Sequence, residues 1–361
     1  MSANFNFDVV IIGGGVIGLA IAEKLSNSFK NVLLIEKEKK FGLHTSSRNS
    51  EVVHSGIYYP SKSLKSKLCI KGNSLLYRFM KKYDIPFLNC GKLIVDCGNI
   101  KQIDYLYYKS IDKHMKGVKK VSSKEAKEIE PRVKCDSALW VPSSGIMDSH
   151  KLMQRLEYNF ILSNGTIAYN TNVESISYRN GAYSIDTNDK DKISTKILVN
   201  ACGLWSDKIS SMLGIDDFKI HYCKGEYYKT HRYKNLNCLI YPVPSKTSLG
   251  IHAVLQLNGD VSFGPNAYYV NDIDYSMTDS KKNDFLININ NYLDIQSDDI
   301  NPDYCGIRPK LQAKGKEFED FYISNEKNRG LDNFINLIGI DSPGLTSSLA
   351  IAEYVNDLIS I

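Results

Sequence analysis

A glycine-rich turn near the N-terminus constrains the fold of this chain more than any other feature. Residues 8–12 form a short β-branched run that predicts a buried parallel strand, and glycines follow at the spacing G-x-G-x-x-G. Gly13 permits the tight turn, Gly15 lets the backbone approach a pyrophosphate, and Gly18 lets the following helix pack closely on the sheet. The turn therefore predicts a dinucleotide-binding βαβ unit.

An acidic residue at the end of the second strand supports this reading. Residues 31–35 are apolar and predict a strand that ends at Glu36, close to the expected offset of roughly 20 residues after the glycines. Its carboxylate would accept hydrogen bonds from the adenosine ribose hydroxyls. The N-terminus of the intervening helix supplies free amides and a positive dipole end for the phosphates. These features predict a dinucleotide without choosing between NAD and FAD.

A polar segment beyond the second strand bears on that choice. In glutathione-reductase-like flavoproteins a segment in this place runs along the flavin. Here its hydroxyl, amide and guanidinium groups can bond the pyrophosphate and the flavin edge, and a plain polar loop is the alternative. The predicted cofactor contacts in this part of the chain are Lys37, Thr45, Ser46, Arg48, Asn49 and Ser50.

Composition limits the classes of partner. The chain has 45 basic and 40 acidic residues, and its lysines are scattered among acidic and apolar neighbours, so no nucleic-acid surface is predicted. None of the eight cysteines forms a C-x-x-C pair or shows metal-ligand spacing, which indicates reduced thiols and no metal site. The N-terminus lacks a basic signal region. We expect a cytoplasmic protein or one peripheral to the inner membrane.

The stretch TSSRNSEVVHSGIYYP over residues 45–60 resembles the L-2-hydroxyglutarate dehydrogenase/oxidase family of FAD-dependent enzymes, within the D-amino-acid-oxidase-like superfamily. Further matching blocks follow in the expected order and span nearly the whole chain. They are CGKLIV (90–95), SGIMDS (144–149), VNACGL (199–204), KGEY (224–227), LIYPVP (239–244), GIH (250–252), FGP (263–265), GIRPKL (306–311) and NLIGIDSPGLT (336–346). One departure is Cys202, where alanine or glycine is common in the family.

The resemblance implies an α/β fold with two domains. A discontinuous Rossmann-like FAD-binding domain of the glutathione-reductase type would take residues 1–82, 148–221 and 318–361. A mostly antiparallel α+β substrate domain would take residues 83–147 and 222–317.

The resemblance also implies cofactor contacts farther along the chain. The segment at 336–346 reads as strand, glycine turn and helix, which directs backbone amides toward the pyrimidine end of the flavin. A connection that merely closes the sheet is the alternative. The cofactor contacts implied by the resemblance are Val173, Ala201, Gly203, Gly339, Ser342, Gly344, Leu345 and Thr346.

The implied reaction is oxidation of an L-2-hydroxy acid, L-2-hydroxyglutarate to 2-oxoglutarate, by hydride transfer from the α-carbon to flavin N5. Arg308 would hold the α-carboxylate through two parallel bonds, with a structural salt bridge as the alternative. His54 or His252 would accept the hydroxyl proton, and contact with or attachment to the flavin is the alternative for His54. Tyr59, Lys224 and Tyr241 would complete the pocket, the last two beside the second carboxylate; plain packing roles are the alternative.

Other functions remain open at this point. The same clamp and flavin would serve an amino acid or another small 2-hydroxy acid, and a non-catalytic flavoprotein redox sensor is a third reading. The electron acceptor could be oxygen, a quinone or a carrier protein.

Overall fold

The structure, a computed structural model, describes residues 4–244 and 250–359. In chain order its strands are β1 (Asn4–Ile12), β2 (Val32–Ile35), β3 (Val52–Val53), β4 (Phe87–Leu88), β5 (Lys92–Val95), β6 (Lys119–Ser122), β7 (Ser137–Val141), β8 (Gly145–Met147), β9 (Thr166–Ala168), β10 (Val173–Arg179), β11 (Ala182–Thr187), β12 (Lys192–Asn200), β13 (His221–Lys234), β14 (Leu239–Pro242), β15 (His252–Leu255), β16 (Asp260–Gly264), β17 (Tyr268–Val270), β18 (Ile300–Lys310), β19 (Tyr322–Asn325) and β20 (Phe334–Ile338). The helices are α1 (Val16–Leu25), α2 (Leu64–Lys82), α3 (Ile100–Asp112), α4 (Ser123–Ile129), α5 (Ser149–Leu162), α6 (Ser206–Ser211), α7 (Lys282–Ile289) and α8 (Gly344–Leu358).

An eight-stranded sheet carries the glycine-rich turn. Its order is β10-β11-β12-β1-β2-β9, and β20 joins it beside β12 with β19 on the far side of β20. The strand β1 pairs in parallel with both β12 and β2, and its apolar end is buried on both faces, as the β-branched run predicts. The helices α1, α5 and α8 pack in one apolar cluster against this sheet.

A nine-stranded sheet forms the second layer of structure. Its order is β17-β13-β16-β15-β14-β5-β7-β6, with β18 paired to β13. Neighbouring strands run antiparallel except for β14 and β5, which are parallel. This confirms the expected α/β fold with a mostly antiparallel second sheet. A small sheet of β3, β8 and β4 accompanies the two large ones.

The two large sheets draw on different segments of the chain. Strands of the eight-stranded sheet fall inside the segments expected for the FAD-binding domain. Those of the nine-stranded sheet fall inside the other segments, apart from the first residue of β13, His221. The small sheet joins a strand of the first group to two of the second. The domain limits themselves stay a prediction, and their outer ends at residues 1 and 361 lie outside the described residues.

Hydropathy gives one further result. Across residues 4–244 and 250–359, no helix is both long enough and apolar enough to cross a membrane.

Candidate active site

A cavity of about 870 Å³ is lined by residues from both large sheets. It gathers most of the residues that the sequence singles out. The predicted cofactor contacts on its wall are Gly13, Gly15, Glu36, Lys37, Thr45, Ser46, Arg48, Asn49, Ser50, Val173, Ala201, Gly203, Ser342, Gly344 and Leu345. The predicted substrate-side residues on its wall are His54, Tyr59, Tyr241, His252 and Arg308. Four predicted residues lie off the wall, namely Gly18, Lys224, Gly339 and Thr346.

The glycine turn has the geometry that a phosphate site needs. Gly13 has φ +110°, and a Cβ on it would lie 2.5 Å from the Ala201 carbonyl oxygen. A Cβ on Gly18 would lie 1.8 Å from the Gly13 carbonyl oxygen, so Gly18 acts by packing α1 on the turn. Gly15 faces the cavity at the N-terminus of α1 and has no side chain to cap the helix, and the first helical amide, that of Val16, donates to Ser46 instead. Other backbone amides and the helix dipole are available to a pyrophosphate there.

The part of the cavity around Glu36 combines a carboxylate with an aromatic side chain. Glu36 accepts hydrogen bonds from the Gly14 amide at 2.6 Å and the Glu38 amide at 2.9 Å. The Lys37 ammonium lies 3.1 Å from the ring centroid of Trp205, and burial lowers the pKa of Lys37. Trp205 also lines the cavity. Sequence reasoning missed this indole, although it directly follows the matching block at 199–204.

The polar segment after the second strand packs against β18. Thr45 Oγ1 donates to the Ile307 carbonyl at 3.0 Å. A Cβ on Gly306 would lie 2.1 Å from the Arg48 carbonyl oxygen. The Arg48 Nε is buried without a hydrogen-bond partner among the described residues, and Ser46 Oγ accepts from the Val16 amide at 3.0 Å. This segment therefore presents donor groups to the cavity while it is fixed to the strand that carries Arg308.

The last strand and the last helix, β20 and α8, contribute another part of the cavity wall. The helix α8 begins at Gly344 without a side-chain cap, and both Gly344 and Leu345 line the cavity, although the Gly344 amide already donates to the Asp341 carbonyl at 2.6 Å. Thr346 lies behind them, where its hydroxyl accepts from the His54 amide at 3.0 Å. Gly339 has φ +71° and packs against Leu311, which gives it a role in the turn. Two helix N-termini, at Gly15 and Gly344, line one cavity together with Glu36, which follows β2. These groups fit the phosphates, the ribose and the ring system of FAD.

Arg308 is held in the cavity wall without an acidic partner. Its Nη1 and Nη2 lie 3.4 and 3.3 Å from the Asn266 carbonyl oxygen. Gly225 leaves room for it, since a Cβ there would lie 2.7 Å from Nη2. Within the described ranges, no carboxylate comes within ion-pair distance of the guanidinium. The arrangement favours a carboxylate ligand over the structural salt bridge.

His54 reaches the cavity beside a short polar chain. Its Nε2 lies 3.5 Å from Ser342 Oγ, which lies 3.4 Å from the Tyr59 hydroxyl. Burial, assisted by the positive charge of Lys92, lowers the pKa of His54 to about 3. His54 is therefore neutral at physiological pH and free to accept a proton, but so low a pKa makes it a weak base in this state.

His252 forms a stacked pair with Tyr241 on the nine-stranded sheet. The two ring centroids are 3.5 Å apart and the planes differ by 8°. Tyr241 is 1% exposed and its hydroxyl has no hydrogen-bond partner within the part of the chain that the structure describes. Both side chains line the cavity, so the structure brings both histidines and both predicted tyrosines to one site.

Lys224 does not reach this site. Its ammonium donates to the Ser276 carbonyl and lies 3.5 Å from Asp274. Its neighbours Gly225 and Tyr227 line the cavity instead, because alternate residues of β13 face opposite sides. The geometry gives no support to the predicted contact between Lys224 and the substrate.

Known proteins similar to this chain agree with the cofactor site. The family described as DAO, FAD dependent oxidoreductase, matches residues 8–358. The mitochondrial L-2-hydroxyglutarate dehydrogenase of Arabidopsis thaliana is 35% identical, with 96% of this chain and 82% of that protein aligned. The glycerol 3-phosphate dehydrogenase of Caloramator mitchellensis is 31% identical, with 98% of this chain and 74% of that protein aligned.

A solved structure extends the likeness to the whole fold. The L-alpha-glycerophosphate oxidase of Mycoplasma pneumoniae, determined with FAD bound, superposes with a TM-score of 0.88. It is 25% identical in sequence, and the match covers 98% of this chain and 94% of the other.

Proposed function

Since the chain belongs to the DAO family of FAD dependent oxidoreductases, we propose that it oxidises an L-2-hydroxy acid to the 2-oxo acid, with L-2-hydroxyglutarate as the substrate. FAD, when bound, accepts the hydride from the α-carbon. The choice of substrate is supported by the Arabidopsis relative, which is an L-2-hydroxyglutarate dehydrogenase and aligns with 96% of this chain.

Arg308 carries the proposal. Its guanidinium lies on the cavity wall with only carbonyl and thiol contacts among the described residues, so its charge is available to an α-carboxylate. A planar guanidinium holds a carboxylate by two parallel hydrogen bonds, which fixes the orientation of the α-carbon. Gly225 and Asn266 keep the guanidinium in place before the substrate arrives.

Two histidines are candidates for the hydroxyl proton. His54 is neutral and lies beside Ser342, which gives it a route for the proton toward Tyr59. His252 stands against Tyr241 on the opposite sheet. Each is an imidazole on the same cavity wall as Arg308, and replacement of each in turn distinguishes them.

The test is anaerobic reduction of the flavin-loaded protein by a panel of compounds. L-2-hydroxyglutarate should bleach the flavin absorbance rapidly, while D-2-hydroxyglutarate and L-lactate should act far more slowly. Release of ammonia from L-glutamate would point to an amine substrate instead. Retention of the yellow colour with every compound would support the non-catalytic redox sensor.

Glycerol 3-phosphate is the second candidate substrate. The 31% identical relative from Caloramator mitchellensis is a glycerol 3-phosphate dehydrogenase, and the Mycoplasma structure is an oxidase of the same compound. A phosphate can also be held by a guanidinium. Glycerol 3-phosphate therefore belongs in the reduction panel, and faster bleaching by it than by L-2-hydroxyglutarate would reverse our assignment.

The acceptor of the electrons is the remaining part of the reaction. Oxygen, a quinone or a carrier protein can each reoxidise a reduced flavin. If the acceptor is a membrane quinone, a cytoplasmic enzyme would have to bind the membrane surface to reach it. Oxygen consumption during turnover identifies an oxidase. Turnover that depends on added quinone, with binding to vesicles, identifies the peripheral membrane enzyme.

A further inference from the structure

Lys92 is a buried cation behind the inner wall of the cavity. It is the first residue of β5 and is 0% exposed. Its ammonium lies 4.3 Å from the ring centroid of Tyr241 and 4.8 Å from that of Tyr58, and both tyrosines line the cavity. Since the His252 ring covers one face of Tyr241 at 3.5 Å, the ammonium lies on the other face.

No acidic side chain within residues 4–244 and 250–359 supplies a counter-charge for this ammonium. Among the described residues it has neither a hydrogen-bond partner nor a carboxylate within ion-pair distance. Two other buried lysines are paired, Lys65 with Asp341 at 2.8 Å and Lys224 with Asp274 at 3.5 Å. A buried charge without an ion-pair partner is costly, so an ammonium in this position, behind two tyrosines that line the cavity, favours an acidic ligand on their side.

The groups facing Lys92 stay neutral near physiological pH. Burial raises the pKa of the nearby thiols and tyrosine hydroxyls and lowers that of the nearby histidine. They are Cys69 on α2, Cys90 before β5, Tyr241 on β14, and His54 and Tyr58 on the loop that leads to α2. Burial lowers the pKa of Lys92 itself to about 7. Lys92 is thus the group here whose charge changes near neutral pH.

We propose that Lys92 is a specificity-determining residue, whose charge acts through the Tyr58 and Tyr241 rings to make the cavity prefer ligands with two acidic groups. One acidic group binds Arg308 and the second lies beside the two tyrosines. This rests on the proposed function and deepens it, because it names the residue that recognises the second carboxylate of the substrate. It also assigns to Lys92 the role that the sequence suggested for Lys224.

The proposal predicts a link between binding and protonation. A second carboxylate near Lys92 stabilises its charged form, so a dicarboxylate binds most tightly below about pH 7 and more weakly as the pH rises above it. At about pH 8 the protein should take up a proton when a dicarboxylate binds, and at about pH 6 it should take up almost none. A monocarboxylate held at Arg308 should produce much less uptake at either pH.

The experiment uses glutarate and butyrate, which have no hydroxyl group to oxidise, as binding probes for the flavin-loaded protein. Their dissociation constants and proton uptake are measured by calorimetry in buffers of different ionisation enthalpy. Charges roughly 8 Å apart at an effective dielectric constant of about 20 change affinity by about 30-fold. Lys92→Met should therefore weaken glutarate binding about 10- to 30-fold and butyrate binding by less than about threefold.

Two further variants act as controls. Lys92→Arg keeps the positive charge and should restore most of the preference for glutarate. Lys224→Met removes a buried lysine of the same sheet that already has an acidic partner, and it should leave the ratio of the two affinities unchanged. Loss of the ratio in Lys224→Met, with no change in Lys92→Met, would return the role to Lys224.

Equal weakening of both probes by Lys92→Met would overturn the proposal, as would no change. Should that variant fail to fold, the unaltered protein still tests the proposal. Equal proton uptake on binding glutarate and butyrate would overturn it. The proposed function fails separately. If L-2-hydroxyglutarate does not reduce the flavin but glutarate binding depends on Lys92, the proposed reaction is wrong while the preference for dicarboxylates stands.

Discussion

A single methyl group at Gly225 should disable the carboxylate clamp at a modest cost in stability, because it meets both Arg308 and Pro265. Gly225 lies on β13 and its φ is not positive, so alanine can adopt its backbone conformation. The added Cβ would lie 2.7 Å from Arg308 Nη2, 2.9 Å from Nη1 and 2.9 Å from the Pro265 Cβ. Ordinary contact begins at 3.4 Å, so the guanidinium must move by about 0.7 Å. Pro265 is rigid and cannot relieve the contact from the other side.

That displacement sets the size of the effect. A misplacement of about 1 Å at a reacting centre can cost about 100-fold in rate, so Gly225→Ala should lower kcat/KM about 10- to 100-fold. The loss should appear largely in KM, because Arg308 binds the carboxylate in the ground state as well as in the transition state. Steady-state kinetics with L-2-hydroxyglutarate measure it. Flavin content should stay near its original value, while the thermal midpoint should fall modestly because the added Cβ also meets Pro265 at 2.9 Å.

The double variant decides whether the loss acts through Arg308. Arg308→Ala alone should raise KM by orders of magnitude and leave FAD bound, since it removes a charge-assisted pair worth about 2–5 kcal/mol. If Gly225→Ala acts only by moving the guanidinium, adding it to Arg308→Ala should cost nothing further. Fully additive losses would refute the reasoning, and so would normal kinetics in Gly225→Ala.

The remaining predictions concern the cofactor turn and the histidines. Gly18→Ala should yield protein without flavin and with a lowered thermal midpoint, because its Cβ would lie 1.8 Å from the Gly13 carbonyl oxygen; normal flavin content would contradict the packing role. Of His54→Ala and His252→Ala, one should abolish kcat with flavin content intact, and normal turnover in both would remove histidine as the base. Since burial holds the folded pKa of His54 near 3, against an ordinary value of 6.5, this group leaves stability unaffected above about pH 6.5 and lowers it progressively as the pH falls toward 3. Denaturant titrations of His54→Ala should therefore lose stability less steeply over that range than those of the unaltered protein.

The cofactor turn was accessible to sequence reasoning because its geometry is local. The spacing of Gly13, Gly15 and Gly18 reflects steric limits within one strand, turn and helix, and the distances that a Cβ would meet confirm the roles of the first and last. The position of Glu36, directly after β2, follows from the lengths of the strand, turn and helix that precede it. No long-range contact had to be known.

The lysine beside the second acidic group was not accessible in the same way. Lys224, Gly225, Glu226 and Tyr227 form one matching block, but only alternate members line the cavity. Which alternate pair faces inward depends on the register of β13 with its neighbours, and a shift by one residue would reverse it. Lys92 offered a different signal. It begins an otherwise apolar strand, and lysines are seldom fully buried without an ion-pair partner.

The polar segment that contains Thr45 and Arg48 is fixed to the strand that carries Arg308, which ties the two halves of the site together. Thr45 Oγ1 is bonded to the Ile307 carbonyl, next to Arg308, and Gly306 has no room for a Cβ against the Arg48 carbonyl oxygen. A shift of the segment that faces the cofactor must therefore displace the strand that holds the guanidinium. Because packed interfaces resist continuous deformation, we expect FAD bound against this segment to restrain Arg308 as well. The carboxylate clamp should accordingly be best ordered in the flavin-loaded protein, where substrate orientation matters.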